Sequence, residues 1–213
     1  MATLENTITK TYKQTGMRVV KSYDEFAENP RNWENLTTMI CHHNRYALGD
    51  VEESRQFEGF TSLKELKQAL VEHYGEMAYI EPLSLYDHSA QTLAIGEPTV
   101  AWDSGYVGFI FVTKDRARKE YGVKRITKSV LERIKSVARG EVEEYNKICL
   151  WGDVYNLELQ KVFTNVDDIT DTYTESEECI GGFTFDNDYT VEKAIEEHFG
   201  LKQGEYELVE KPY

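Results

Sequence analysis

The chain has 213 residues, 40% of them hydrophobic and 12% aromatic, which suits one sizeable core and excludes a disordered chain. Its formal net charge of −14 argues against the molecule as a whole binding free nucleic acid. No run of about 18 apolar residues and no apolar leader-like segment occurs, so no membrane span or secretory signal is expected and a cytoplasmic location is.

In chain order, Met17 to Val20 reads as a short strand. "SYDEFAENP" reads as a turn or two of helix capped by Ser22 and stopped before Pro30. "NWENLTTMICHHNRYALGD" mixes periods and reads as irregular. "TSLKELKQALVEHYG" predicts a helix capped by Thr61 or Ser62, with Leu63, Leu66, Leu70 and Tyr74 or Val71 on its buried face and Gly75 closing it. From Met77 to Thr113 the period shortens to that of strands. "AYIEPLSLY", "QTLAIG", "TVAW" and "YVGFIFV" are separated by turn signals at "DHSA", "GEP" and "DSG". As an antiparallel meander these strands bring the turns at Asp87–Ser89 and Asp103–Gly105 to the same end of a sheet. Gly108, inside the last strand, points to a bulge or a close backbone approach.

"KDRARKEYG" predicts a short basic helix. "ITKSVLERIKSVARGEVEEYNKICL" predicts the longest one, buried along Ile126, Val130, Ile134, Val137, Val142, Tyr145 and Cys149, with a kink or break at Gly140. A strand ("DVYNLELQKV"), an acidic loop ("TNVDDITDTYTESEE"), "CIGGFTF", a helix ("TVEKAIEEHFG") and a final strand ("EYELVEK") complete the chain. "LKQALVEHYG" and "VEKAIEEHFG" share their spacing of Ala, Glu-His and aromatic-Gly, which an internal duplication or merely common capping chemistry would explain. The segregation of helices and antiparallel strands predicts an α+β fold, a single domain over residues 1–213 with a meander sheet and packed helices.

Charge is unevenly spread. Residues 153–213 carry 16 Asp and Glu against four Lys and no Arg, a net −12, whereas residues 114–139 carry ten bases and three acids. The acidic end is expected to attract a protein that itself binds nucleic acid. The basic segment is accounted for by the solvent face of its helix, so direct nucleic-acid binding is not expected. The three cysteines (Cys41, Cys149 and Cys179) lack paired spacing, which favours reduced thiols over a zinc site.

Three constellations could carry chemistry. Asp87, His88, Asp103 and Ser104 would share the sheet end. There His88 could act as a base and Ser104 as a nucleophile, although Gly-x-Ser-x-Gly is absent and two polar turns explain the residues as well. His42 or His43 could join His88 and Asp103 around a transition metal, but no metal-binding signature supports this, and no metal or cofactor is expected. Asp186, Asn187 and Asp188 resemble the start of a calcium loop without its later ligands. An Asx turn before the following helix is the simpler role.

"LYDHS", "WDSGYVGFIFV", "CHHNRYALGD", "RKEYGVKRIT" and "GEVEEYN" together resemble a largely uncharacterised family of small acidic proteins encoded by Gram-positive bacteriophages and mobile elements. The resemblance spans roughly residues 30–160 and carries over no catalytic residues. It implies an accessory role, such as blocking a host restriction or CRISPR system. The expected function is therefore binding and inhibition of a basic host defence protein by a nucleic-acid-mimicking surface. That surface would comprise Asp167, Asp168, Asp171, Glu175, Glu177, Glu178, Glu192, Glu196 and Glu197. The alternative is a small hydrolase using His88, Asp87, Asp103 and Ser104.

Overall fold

A computed structural model describes residues 10–100 and 102–211. Its elements in chain order are β1 (Tyr12–Tyr23), β2 (Thr38–Cys41), α1 (Val51–Arg55), α2 (Leu63–Tyr74), β3 (Met77–Asp87), β4 (Gln91–Ile95), β5 (Ser104–Thr113), α3 (Lys114–Tyr121), α4 (Lys128–Tyr145), β6 (Tyr155–Asn165), β7 (Thr172–Phe183), α5 (Val191–Phe199) and β8 (Glu207–Glu210). The fold is α+β, as the sequence predicts. The elements group into two compact units, one over residues 28–152 and one joining the N-terminal segment to residues from 153 onward.

The 28–152 unit is built on an antiparallel sheet of order β2-β5-β3-β4. Thr99, Val100 and Trp102 of the segment expected as the strand "TVAW" belong to no strand, its remaining position lying outside the described residues, and β3 lies between β4 and β5, so β5 pairs directly with β3. β5 is buried on both faces, which accounts for the unbroken apolar run of "YVGFIFV". Phe109 and Phe111 meet Leu66 and Leu70 of α2, while Ile110 and Val112 meet Val130, Ile134 and Ala138 of α4. Gly108 fulfils its expectation: the register shifts beside it, and a Cβ there would run into the carbonyl of Ile40 on β2.

α2 begins as expected, with Ser62 accepting from Glu65 N–H while the Glu65 carboxylate accepts from Thr61. α4 is continuous through Gly140. Its buried row is Val130, Ile134, Ala138, Val142 and Tyr145, so Ala138 takes the place expected of Val137, which is exposed. The break comes later, in a π-helical turn over Asn146–Leu150. No helix forms in "SYDEFAENP": β1 runs to Tyr23 and a turn follows. The stretch expected to be irregular contains β2 and α1.

Arg31 fastens four segments of this unit together. Its guanidinium donates to both Asp50 oxygens at 2.7 and 3.0 Å, to Glu141 of α4 at 3.0 Å and to the Thr37 carbonyl at 2.7 Å. The carboxylates are satisfied in turn: Asp50 accepts from Met39 N–H at 2.8 Å, and Glu141 from Leu36 N–H at 2.7 Å and from the Thr37 hydroxyl. The Arg31 side chain is only 4% exposed. Asp50, although it precedes α1, makes no cap bond of its own because its oxygens are already engaged.

The second unit carries the sheet β7-β6-β1-β8, antiparallel except for the β1-β8 pair. α5 covers one face through Ala194 and Ile195 against Val19, Leu157 and Phe183. α5 and α2 share cap chemistry, a hydroxyl N-cap and a positive-φ glycine at the end, but they sit on sheets of different strand order and direction. Common capping chemistry is therefore sufficient to explain the echo between them. The segment expected to be an acidic loop is a loop only over residues 166–171; from Thr172 it forms β7, a twelve-residue edge strand whose first eight residues are all exposed. A strand lacking a buried face has no hydrophobic alternation for the sequence to display.

Replacing Arg31 with Ala leaves two enclosed carboxylates unpaired, so Arg31→Ala is expected to destabilise the 28–152 unit by about 3–5 kcal/mol, measured by denaturant unfolding. A loss below about 1 kcal/mol would show that the network is dispensable.

Candidate functional site

The two polar turns do meet, by direct pairing of β3 with β5. Asp87 N–H donates to the Asp103 carbonyl at 2.8 Å, and His88 Nδ1 lies 3.7 Å from Asp103 Oδ1. Asp87 is held by Arg45 and by the Tyr46 hydroxyl at 3.3 Å, and His43 stacks on Tyr46. A cleft of about 220 Å³ opens here, bordered by His43, Arg45, Asp87, Asp103 and Ser104. Ser104 Oγ is buried and has no hydrogen-bond partner among the described residues, so none of them is positioned as a base to take its proton. His88 stands 65% exposed at the rim.

His42 takes a different setting from His43. Its Nε2 is buried without a partner, and burial lowers its pKa. Among the described residues no group of three His, Cys, Asp or Glu is placed to hold a metal ion. Asp186 forms the expected Asx turn, accepting from the N–H groups of Asp188 and Tyr189 at 2.8 Å each, and Thr190 then caps α5. All three cysteines are free; Cys41 is buried, and Cys149 and Cys179 are exposed.

The nine carboxylates of the acidic end divide by what they touch. Asp171 is structural. It accepts from Lys10 and Tyr12 at 2.9 Å and from Asn165 at 3.0 Å, tying the start of β1 to the turn between β6 and β7. Asp168 caps its own turn through the N–H and hydroxyl of Thr170. Glu177 pairs with Lys161 at 2.8 Å across β6 and β7. Glu192 sits in the first turn of α5, and bonds to its own amide and to Thr190 lower its pKa. Glu197 bonds to Tyr189. Asp167, Glu175, Glu178 and Glu196 have no ion-pair partner among the described residues, and all four are exposed.

β7 supplies the framework for these groups. In a strand, residues two apart share a face about 6.6 Å from one another, and consecutive residues face opposite sides. Glu175 lies opposite Lys161 and Glu178 opposite Leu159, with a register shift between them that places Glu177 out of alternation. α5 packs over the C-terminal part of β7 through Ile180 and Phe183, so the Glu196 helix belongs to the same sheet face as Leu159. The sequence marks these carboxylates by composition. It gives no sign of which are engaged in structure, because Lys10, Asn165 and Lys161 lie far from or across the sheet from their partners.

No protein-family model, no curated protein and no solved structure matches the chain. No helix among the described residues is long and apolar enough to cross a membrane.

Asparagine, lysine and tyrosine bonds together hold Asp171 at about 2, below its ordinary 3.8, with Asn165 the largest contributor. The stabilisation this brings is therefore complete above pH 3.8 and is lost as the pH falls through about 2. Carboxyl-detected NMR should show Asp171 titrating near 2, and Asn165→Ala should move the midpoint upward. A midpoint at or above the ordinary value would remove Asp171 from the structural set and return it to the free surface.

Proposed function

We propose that the chain is a binding protein whose β7 and α5 carboxylates dock onto the phosphate-binding groove of a basic, nucleic-acid-processing protein and block it. One observation carries the reading. The edge strand β7 is twelve residues long, exposed over its first eight, and presents Glu175 and Glu178, neither of them in an ion pair among the described residues. A row of solvated carboxylates at strand spacing offers regular negative charge along an accessible line, to which a groove lined with Lys and Arg is complementary. The resemblance to accessory proteins of bacteriophages and mobile elements supports a host restriction or CRISPR enzyme as the target class. The exposed His88 and unpartnered Ser104 favour this reading over the hydrolase alternative.

Charges on an exposed edge also prevent strand-to-strand association, and the two roles separate experimentally. The test compares the wild-type chain with the E175Q/E178Q/E196Q variant, each immobilised and exposed to a host-cell extract, with elution by salt and by duplex DNA. The proposal expects a basic protein that DNA displaces, whose retention falls steeply with salt and is lost from the variant. Retention that is indifferent to salt and to the three substitutions would contradict it, as would a variant that merely self-associates while still holding the same protein.

A further inference from the structure

A cavity of about 490 Å³ lies in the 28–152 unit between α4 and the free edge of β4. Its size is that of small-molecule sites. Its apolar lining includes Leu93, Ile95 and Val142, with Tyr79. Lys135, Arg139 and Glu143 of α4 and Glu81 of β3 also line it, so it carries both signs of charge. Lys135 is paired with Glu132 at 3.0 Å, whereas Arg139, Glu81 and Glu143 have no ion-pair partner among the described residues. Burial pushes the Tyr79 hydroxyl up to about 12, with Glu81 raising it further and Arg139 opposing.

The strand edge itself shows how something can bind there. The Asn146 carboxamide donates to the Leu93 carbonyl at 2.9 Å and accepts from the Leu93 N–H at 2.9 Å. It occupies the place of a missing neighbouring strand. Trp151 Nε1 likewise donates to the Gln91 carbonyl at 2.9 Å. Antiparallel pairing directs alternate residues to opposite sides. The register with β3 is unbroken from Leu83↔Ile95 to Asp87↔Gln91, and Gly96 N–H reaches back to Pro82. Ile95 therefore turns its N–H and carbonyl outward like Leu93 and Gln91, toward the cavity, and neither has a partner among the described residues. Of the three outward positions on β4, two are covered by side chains and the third opens into the cavity. The side chain that covers Leu93 stands at the start of the π-helical turn, a local irregularity that recurs at functional sites.

We propose that this cavity binds a short zwitterionic peptide with an apolar central side chain. The central residue of the peptide pairs its N–H and carbonyl with Ile95, one two-residue step, about 6.6 Å, beyond the Asn146 clamp. Its side chain falls on the same sheet face as that of Ile95, over Leu93 and Val142. Its carboxylate meets Arg139, and its ammonium meets Glu81 and Glu143. A cavity carrying both signs suits a zwitterion better than an anion, which the two carboxylates would repel.

The test is an NMR titration of the ¹⁵N-labelled full chain with the tripeptide Ala-Phe-Ala. Comparison peptides are its C-terminal amide and the analogue N-methylated at the central residue. Saturable shifts at Ile95, Gly96 and Asn146 are expected, with a Kd between about 1 μM and about 1 mM. Arg139→Ala, an exposed change on α4, should weaken Ala-Phe-Ala about tenfold or more, and amidation of the peptide should cost no more on that variant. N-methylation should abolish the shifts at Ile95. Absence of saturable shifts at these residues would overturn the proposal, and so would equal binding of the parent and N-methylated peptides. Because the cavity belongs to a different unit from β7 and α5, these outcomes stand apart from the fate of the acidic docking surface.

Discussion

The buried guanidinium of Arg31 is the constraint on which the 28–152 unit is organised. Enclosing three charges costs several kcal/mol per ion unless each finds partners, and here every oxygen of Asp50 and Glu141 accepts at least one bond. Meeting that demand fixes where β2 begins, where the segment before α1 turns, and how α4 lies. Gly49 belongs to the same arrangement. It has a φ of 63°, its N–H donates to the Tyr145 hydroxyl, and a Cβ there would sit 2.6 Å from the Met39 carbonyl. With α4 placed by Glu141 at one turn and by Tyr145 at the next, Asn146 is delivered to the edge of β4.

The second unit handles charge in the opposite way. Its ion pairs are exposed and individually weak: Arg18 with Glu207, Lys21 with Glu210, and Lys161 with Glu177. They join neighbouring strands of the sheet, and Asp171 performs the same service at the start of β1. Of the nine carboxylates singled out at the acidic end, subtracting the engaged groups leaves Asp167, Glu175, Glu178 and Glu196 without an ion pair among the described residues. These four, more than the overall charge of −14, are what a partner would meet.

Local features were legible in the sequence where a residue's surroundings follow from its neighbours along the chain. The caps of α2, the Asx turn at Asp186 and the close approach at Gly108 are such cases, each set within a few residues or by a rule no side chain can evade. The meeting of Asp87 with Asp103 was also legible, although β3 reaches β5 directly and not through an intervening strand. The Arg31 network was not, because Glu141 is 110 residues away and nothing in spacing links them. β7 was missed because exposure on both faces removes the alternation by which strands are recognised. Asn146 was missed because a polar residue at the end of an amphipathic helix reads as a terminus, and only the π-helical turn carries it to a strand edge.

The proposed docking role requires that the free carboxylates of β7 and α5 be dispensable to the fold. Stability measures this without knowing the partner. Groups held for binding add like-charge repulsion to an acidic surface, so neutralising them should leave stability unchanged or raise it. The thermal midpoint of the E175Q/E178Q/E196Q variant at low ionic strength is predicted to equal or exceed that of the wild-type chain. A midpoint several degrees lower would show that these side chains hold the structure together, and would contradict the account.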